Sequence, residues 1–189
     1  MHTKWFGKYK KLETEKNYIE WLFPIREIGT NWHAQDLQIR EVKTIIGDWG
    51  AKVRILSSYE MMLDFWGMRL KDHAAGYLER NPAGWRVRFK CLNNSSSCHR
   101  HITRMFKFLG EVDHEKYKPP FVEFILREAI TEGTLPNTLD PCLEYWVDII
   151  RSGTERRRLR RLARQLAREH NLRVLEKRLK IEADTTTHS

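Results

Sequence analysis

The residues best able to do chemistry lie in the run CLNNSSSCHRH, which places Cys91, Cys98, His99 and His101 close together. Thiolate and imidazole are the ligands of tetrahedral zinc sites. The spacing, however, matches no finger or ribbon, and no second ligand pair at a suitable distance follows. Asn93 to Ser97 reads instead as a loop that ends in a helix N-cap, at Ser96 or Ser97. The third cysteine, Cys142, reads as a small core residue. Three cysteines are not a disulfide framework, and the N-terminus MHTKWFGKYKK has no apolar leader segment, so a reducing compartment is expected. Glu60 and Asp64 stand one helical turn apart like a carboxylate pair, a spacing common on exposed faces. His114, between Asp113 and Glu115, reads as a solvated loop or a helix start. The chain has no glycine-rich phosphate loop, no G-x-S-x-G elbow and no H-E-x-x-H. No catalytic residue, metal ligand or cofactor is expected, and the chain reads as a non-enzyme.

A second kind of chemistry is offered by charge. The formal net charge is +9. Between Glu155 and Lys180 stand 11 Lys/Arg against 3 acids, so the first 153 residues are close to balanced. Arg156, Arg157, Arg158, Arg160, Arg161 and Arg164 crowd the start of this segment. Leu159, Leu162, Ala163 and Leu166 make a narrow apolar stripe beneath them. Beyond Asn171, Leu172, Leu175 and Leu179 fall on nearly the opposite face, so the helix either breaks there or carries two stripes. The segment 154–181 is read as an Arg-rich amphipathic helix and 182–189 as a disordered tail. Such a helix can lie solvated across the core. It can also serve as a nuclear import signal, or contact a nucleic-acid backbone, an acidic partner or a lipid surface.

The elements that must position these groups read as helices punctuated by Gly and Pro. In GDWGAKVRILSSYEMMLDFWG, Asp48 is an N-cap, and Ile55, Leu56, Tyr59, Met62, Leu63 and Trp66 recur at helical steps. Met61 and Phe65 occupy its other side, so this helix is central and Gly67 closes it. Ile102, Met105, Phe106 and Leu109 form the next stripe, stopped by Gly110. The Pro119–Pro120 pair opens a helix with Val122, Ile125, Leu126 and Ala129 inward and Gly133 at its end. Asp140 is read as the N-cap of a last helix with Leu143, Val147 and Ile150 inward, closed by Gly153. Gly76 to Phe89 offers a short hairpin or a long loop, and the punctuation by Gly76, Pro82 and Gly84 fits the loop better. The expected fold is all-α: residues 1–153 as one domain of six or seven helices, followed by the basic helix. No stretch reaches the roughly 18 apolar residues a membrane span needs.

The remaining signal is the opening aromatic run. A helix from about Leu12 places Ile19, Leu22 and Phe23 on one face with Tyr18 and Trp21 beside it, and ends before Pro24. Trp21, Leu22 and Phe23 are assigned to the core. The stretch WFGKYKKLETEKNYIEWLFPIREIGTNW closely resembles the opening of the conserved region of the opioid growth factor receptor family. The likeness rests on Trp5, Gly7, Tyr9, Leu12, Glu13, Tyr18, Ile19, Trp21, Leu22, Phe23 and Pro24, with Glu20 where glutamine is usual. It continues through SSYEMMLDFWGMRL, HITRMFKFLGE, KYKPPFVEFIL, GTLP and LEYW, about Trp5 to Arg151. The family's region begins upstream of this tryptophan, so the chain reads as a short isoform, a fragment or a trimmed homologue. The resemblance implies a soluble receptor for the pentapeptide Met-enkephalin, restraining proliferation and found in nucleus and cytoplasm with a perinuclear pool. It supplies no peptide-contacting residue. The competing expectation is a helical scaffold or nucleic-acid-associated protein that acts through the Arg-rich helix.

Overall fold

The computed structural model describes residues 2–15, 17–27 and 35–186, with side chains described for 4–15, 17–27 and 35–177. Its elements are α1 (His2–Trp5), α2 (Tyr9–Thr14), α3 (Tyr18–Leu22), α4 (Ile39–Gly47), α5 (Trp49–Phe65), β1 (Met68–Leu70), β2 (Leu78–Arg80), α6 (Trp85–Asn94), α7 (Ser96–Glu111), α8 (Lys118–Leu126), α9 (Leu139–Pro141), α10 (Val147–Ile149) and α11 (Gly153–Thr186). Among the described residues the regular structure is helical apart from one two-stranded ribbon.

The centre is α5. Asp48 caps it by accepting from the Ala51 N–H at 2.8 Å. Tyr59, Met61, Met62 and Leu63 are wholly buried, and Trp66 nearly so, as apolar residues on both sides require. Gly67 closes the helix at φ +86, where a Cβ would meet Arg88 and the Trp85 backbone. On α7, Ile102, Met105, Phe106 and Leu109 turn inward. Phe121, Val122, Ile125 and Leu126 of α8 are buried in the same cluster. The Phe121 ring packs edge-on against Trp66, Phe106 and Trp146, with centroids 5.2 to 6.2 Å apart. The buried Trp146 indole donates to the Thr103 hydroxyl at 3.0 Å.

Several local expectations are corrected. The helix expected from Leu12 to Phe23 is two helices, because Glu15 is extended and ends α2. The break lets Leu12 and the Tyr18, Ile19, Leu22 set reach the core from different directions. Phe23 leaves the helix at φ −133, ψ 71, as the following proline demands. Trp21 is not core: it is 60% exposed, while Phe23 is fully buried. The long loop expected from Gly76 holds β2, which pairs with β1 (Met68↔Arg80, Leu70↔Leu78), and then the start of α6. The hairpin turn is fixed by the Asp72 carboxylate, which accepts from the Ala74 and Ala75 N–H groups. Ser95, not Ser96 or Ser97, caps α7. Gly110 does not stop α7. It lies inside the helix, where an added Cβ would come 2.6 Å from Lys118 Nζ. Asp140 is no N-cap, because the chain is already helical at Pro136–Thr138. Gly153 closes nothing: the preceding helix ends at the extended Ile150, and Gly153 opens α11.

The basic helix α11 runs unbroken through Asn171. Leu159, Ala163 and Leu166 are buried against the core, with Leu162 packed beside them. Leu172 and Leu175 are exposed. Of the tail expected at 182–189, the backbone to Thr186 belongs to α11, and 187–189 lie outside the described residues. Among the described residues, no helix is long and apolar enough to cross a membrane.

Candidate functional site

The five-residue helix α3 buries Tyr18, Ile19, Glu20 and Leu22. Trp21 is therefore left on the outside. Opposite it stands α4, whose first turn is closed by Glu41 accepting from the Gln38 N–H at 2.7 Å. The Leu37 N–H donates to the Ile25 carbonyl at 3.1 Å, tying the segment before α4 to the segment after α3. Between the two lies a groove of about 590 Å³. Trp21, Pro24, Leu37 and Ile45 give it apolar walls, and Glu20, Glu41 and Arg40 supply its charges. Glu41 is partly exposed, whereas Glu20 is only 7% exposed and Arg104 is near enough to act on it electrostatically. An indole face, aliphatic walls and carboxylates together suit a ligand that carries an aromatic ring and an ammonium group. The α4 wall was not anticipated from sequence. The pairing of Gln38 with Glu41 three residues on, ahead of Val42 and Ile45, was the signal that could have found it.

Other signature residues are structural. The Trp5 ring packs on Tyr18 at 5.6 Å. Gly7 has φ +70. The Tyr9 hydroxyl donates to Asp64 at 3.2 Å, and Asn81 Nδ2 donates to the same oxygen at 2.7 Å. Burial raises the Asp64 pKa, and these hydrogen bonds oppose the rise. Glu60 turns away to His73 at 2.7 Å, so it and Asp64 serve different partners. Tyr59, next to Glu60, is fully buried. His114 bonds the Val112 carbonyl and stacks on Tyr117.

The Cys/His run is spent separately. His99 Nε2 bonds the Leu92 carbonyl at 2.9 Å, and its ring meets Trp146 edge-on. His101 packs on Tyr18, where burial drives its pKa down to about 4. Cys98 is buried, and burial raises its thiol pKa. Cys91 Sγ faces the Glu13 carboxylate at 3.7 Å, with its pKa pushed up to about 11, chiefly by burial. Among the described residues no three His, Cys, Asp or Glu converge on a common point.

The arginines of α11 divide into two groups. Arg156 donates to the Ile150 and Arg151 carbonyls in the connection between α10 and α11. Arg158 bridges Glu123 at 2.8 Å and Glu155 at 2.9 Å, and Arg160 reaches Asp148 at 2.6 Å. Burial pushes the Glu123 carboxyl up, but hydrogen bonds from Arg158 and Arg127 outweigh it and hold the pKa below the usual range. Arg157, Arg161 and Arg164 are exposed, and no ion pair is seen for them among the described residues.

The class of protein this defines is a small helical domain with an aromatic-walled groove and a docked basic helix. Its sequence matches the conserved region of the opioid growth factor receptor over residues 1–178. It is 44% identical over 162 residues to opioid growth factor receptor-like protein 1 of Mus musculus, covering 86% of this chain and 34% of that one. To the Xenopus tropicalis protein of the same name it is 42% identical, covering 85% and 31%. To the opioid growth factor receptor of Homo sapiens it is 38% identical over 155 residues, covering 82% and 23%. The chain belongs to the opioid growth factor receptor family. It spans about a third or less of the length of these relatives. No solved structure matches it.

Proposed function

We propose that this chain is a non-enzymatic, peptide-binding member of the family, linked to restraint of cell proliferation and present in nucleus and cytoplasm with a perinuclear pool. The observation that carries the peptide reading is Trp21. It keeps an indole 60% exposed beside Glu20 at the rim of the groove, while the neighbouring Leu22 and Phe23 are buried. The pentapeptide Tyr-Gly-Gly-Phe-Met brings two aromatic rings, a thioether and an ammonium. One ring lies against Trp21 and the apolar wall of Leu37 and Ile45, and the ammonium is held by Glu20 or Glu41. The Arg156–Arg164 cluster serves as the import address, read by an import receptor through its charge.

Isothermal calorimetry with this pentapeptide tests the reading. Binding is expected in the parent and lost in Trp21→Ala and Glu20→Gln variants that still melt cooperatively. No heat up to roughly 1 mM peptide, where binding free energy has fallen to about −4 kcal/mol, would end it. For the address, a tagged fusion too large to diffuse through nuclear pores should lose nuclear accumulation when Arg157, Arg161 and Arg164 become glutamine.

A further inference from the structure

The face of α11 that points away from the body carries Arg157, Arg161, Arg164 and Arg168, at steps of four, three and four residues, all exposed. At 3.6 residues per turn these four side chains share about 60° of arc and span about 16 Å of helix. The docked residues Leu159, Ala163 and Leu166 occupy the opposite side. Elsewhere on this helix Arg158, Arg160 and Arg173 are paired with acids, whereas Glu169, which lines a shallow pocket with Arg161, Arg164 and Arg168, pairs with Arg173. Among the described residues the four stripe arginines have no such pair. Arg157 has only a 3.4 Å contact with the Thr154 hydroxyl.

We infer that this stripe is a contact surface for a nucleic-acid phosphate backbone. Planar guanidinium groups that always carry charge and offer fixed forks of donors suit phosphate oxygens. A straight, rigid row of them spaced by helical turns meets successive phosphates without local folding. A lipid surface is a worse fit. Interfacial helices need an apolar face beside the basic one, and here that side is committed to the core. An acidic helix is also less suited, because no apolar residue lies among the four arginines to make a packed seam. The exposed Leu172 borders the footprint at its C-terminal end, where it lines a shallow pocket with Arg161, Arg164 and Arg168, and it is a single side chain there, not a seam. No base-reading element accompanies the stripe, so binding is independent of sequence. The inference stands apart from the peptide reading and shares no residue with the groove.

The test is fluorescence anisotropy of the full chain with a labelled mixed-sequence duplex and its single strand, titrated at 50 and 200 mM salt. Four neutralised phosphates predict a log–log salt slope of about −3.6 on duplex and about −2.8 on single strand, so duplex affinity falls roughly 150-fold between the two salts. The variant R157Q/R161Q/R164Q/R168Q should lose most of the slope and keep the parent melting temperature. A charge-matched control, K10Q/K43Q/K71Q/K90Q, should keep both. Should the quadruple variant fail to fold, each single change should still remove about 0.9 from the duplex slope. Equal losses in stripe and control variants, or no binding at 50 mM salt, would overturn the inference. So would binding that appears only with an acidic peptide or with vesicles containing phosphatidylserine, which would reassign the stripe to those partners.

Discussion

Truncating Phe23 and Trp21 to alanine in separate variants tests the geometry on which the groove depends. Phe23 is fully buried, its ring lies 5.7 Å from Phe108, and its carbonyl accepts from Arg104 Nε at 2.9 Å. Removing the ring leaves a cavity in an interior that relaxes only in part, at a cost of about 3–5 kcal/mol. In a domain of this size that corresponds to a drop of roughly 6–20 °C in melting temperature. Trp21, two positions earlier, is more than half in water, and its truncation should cost roughly 0–1 kcal/mol, or at most about 4 °C. Thermal melts by far-UV circular dichroism at matched concentration separate the two ranges, and calorimetry with the pentapeptide supplies the functional axis. Phe23→Ala should melt early. Trp21→Ala should melt like the parent and fail to bind. If Trp21→Ala melts as early as Phe23→Ala, the indole is part of the core and the groove loses its wall.

Other perturbations have definite signs. Burial depresses the His101 pKa to about 4, so the unfolded chain binds the extra proton between about pH 4 and the usual value near 6.5. Its contribution to stability is therefore complete above that window and is lost as pH falls through it. Denaturant melts of His101→Phe should show a shallower loss of stability than the parent between pH 6.5 and 4. Identical slopes would contradict the assignment. Lys118 is 1% exposed, paired with Glu115 at 2.7 Å and donating to the Ile149 carbonyl at 3.3 Å. Gly110→Ala would drive a Cβ onto its ammonium and should cost about 1–3 kcal/mol, measured by chemical denaturation. The triple variant R156Q/R158Q/R160Q should lower the melting temperature by a few degrees, roughly 1–2 kcal/mol after screening of its half-exposed pairs. A parent-like melt would show that these arginines do not hold α11 in place.

The long helices were legible because their apolar residues repeat over enough turns for one phase to win. Met61 and Phe65 opposite Tyr59 and Met62 already implied a helix buried on both sides, and α5 is one. The hairpin was not legible, since three-residue strands cannot display alternation and Gly76, Pro82 and Gly84 fit a loop better. Gly67 and Gly110 look alike in sequence, each following an apolar stripe. Only the first adopts positive φ, while the second makes room for Lys118 from the next helix, a contact made at long range. Trp21 was misassigned for a related reason. A helix of five residues has little more than one turn, so its neighbours decide which aromatic faces inward. The deciding wall, α4, arrives some twenty residues later and had not been recognised as a helix.

The arginines show where sequence reading stops for a physical reason. Their density is visible in the one-letter code, and so is the repulsion of a few tenths of a kcal/mol between like charges one turn apart. The code does not show which of them meet acids. Glu123 comes from α8 and Asp148 from α10, and each reaches α11 only because Leu159, Ala163 and Leu166 seat the helix on the body. Docking thus divides one run of charge into two populations. Arg156, Arg158 and Arg160 turn toward carbonyls and carboxylates of the domain and fasten the helix. Arg157, Arg161, Arg164 and Arg168 keep their charge in solvent with no acid paired to them, so contact with an anionic partner falls first to them. The two glutamine variants above should then behave oppositely: one loses stability and keeps its salt-dependent binding, and the other keeps stability and loses that binding. If R156Q/R158Q/R160Q kept the parent's stability, the apolar seam alone would hold the helix and the ion pairs would contribute nothing to its seating.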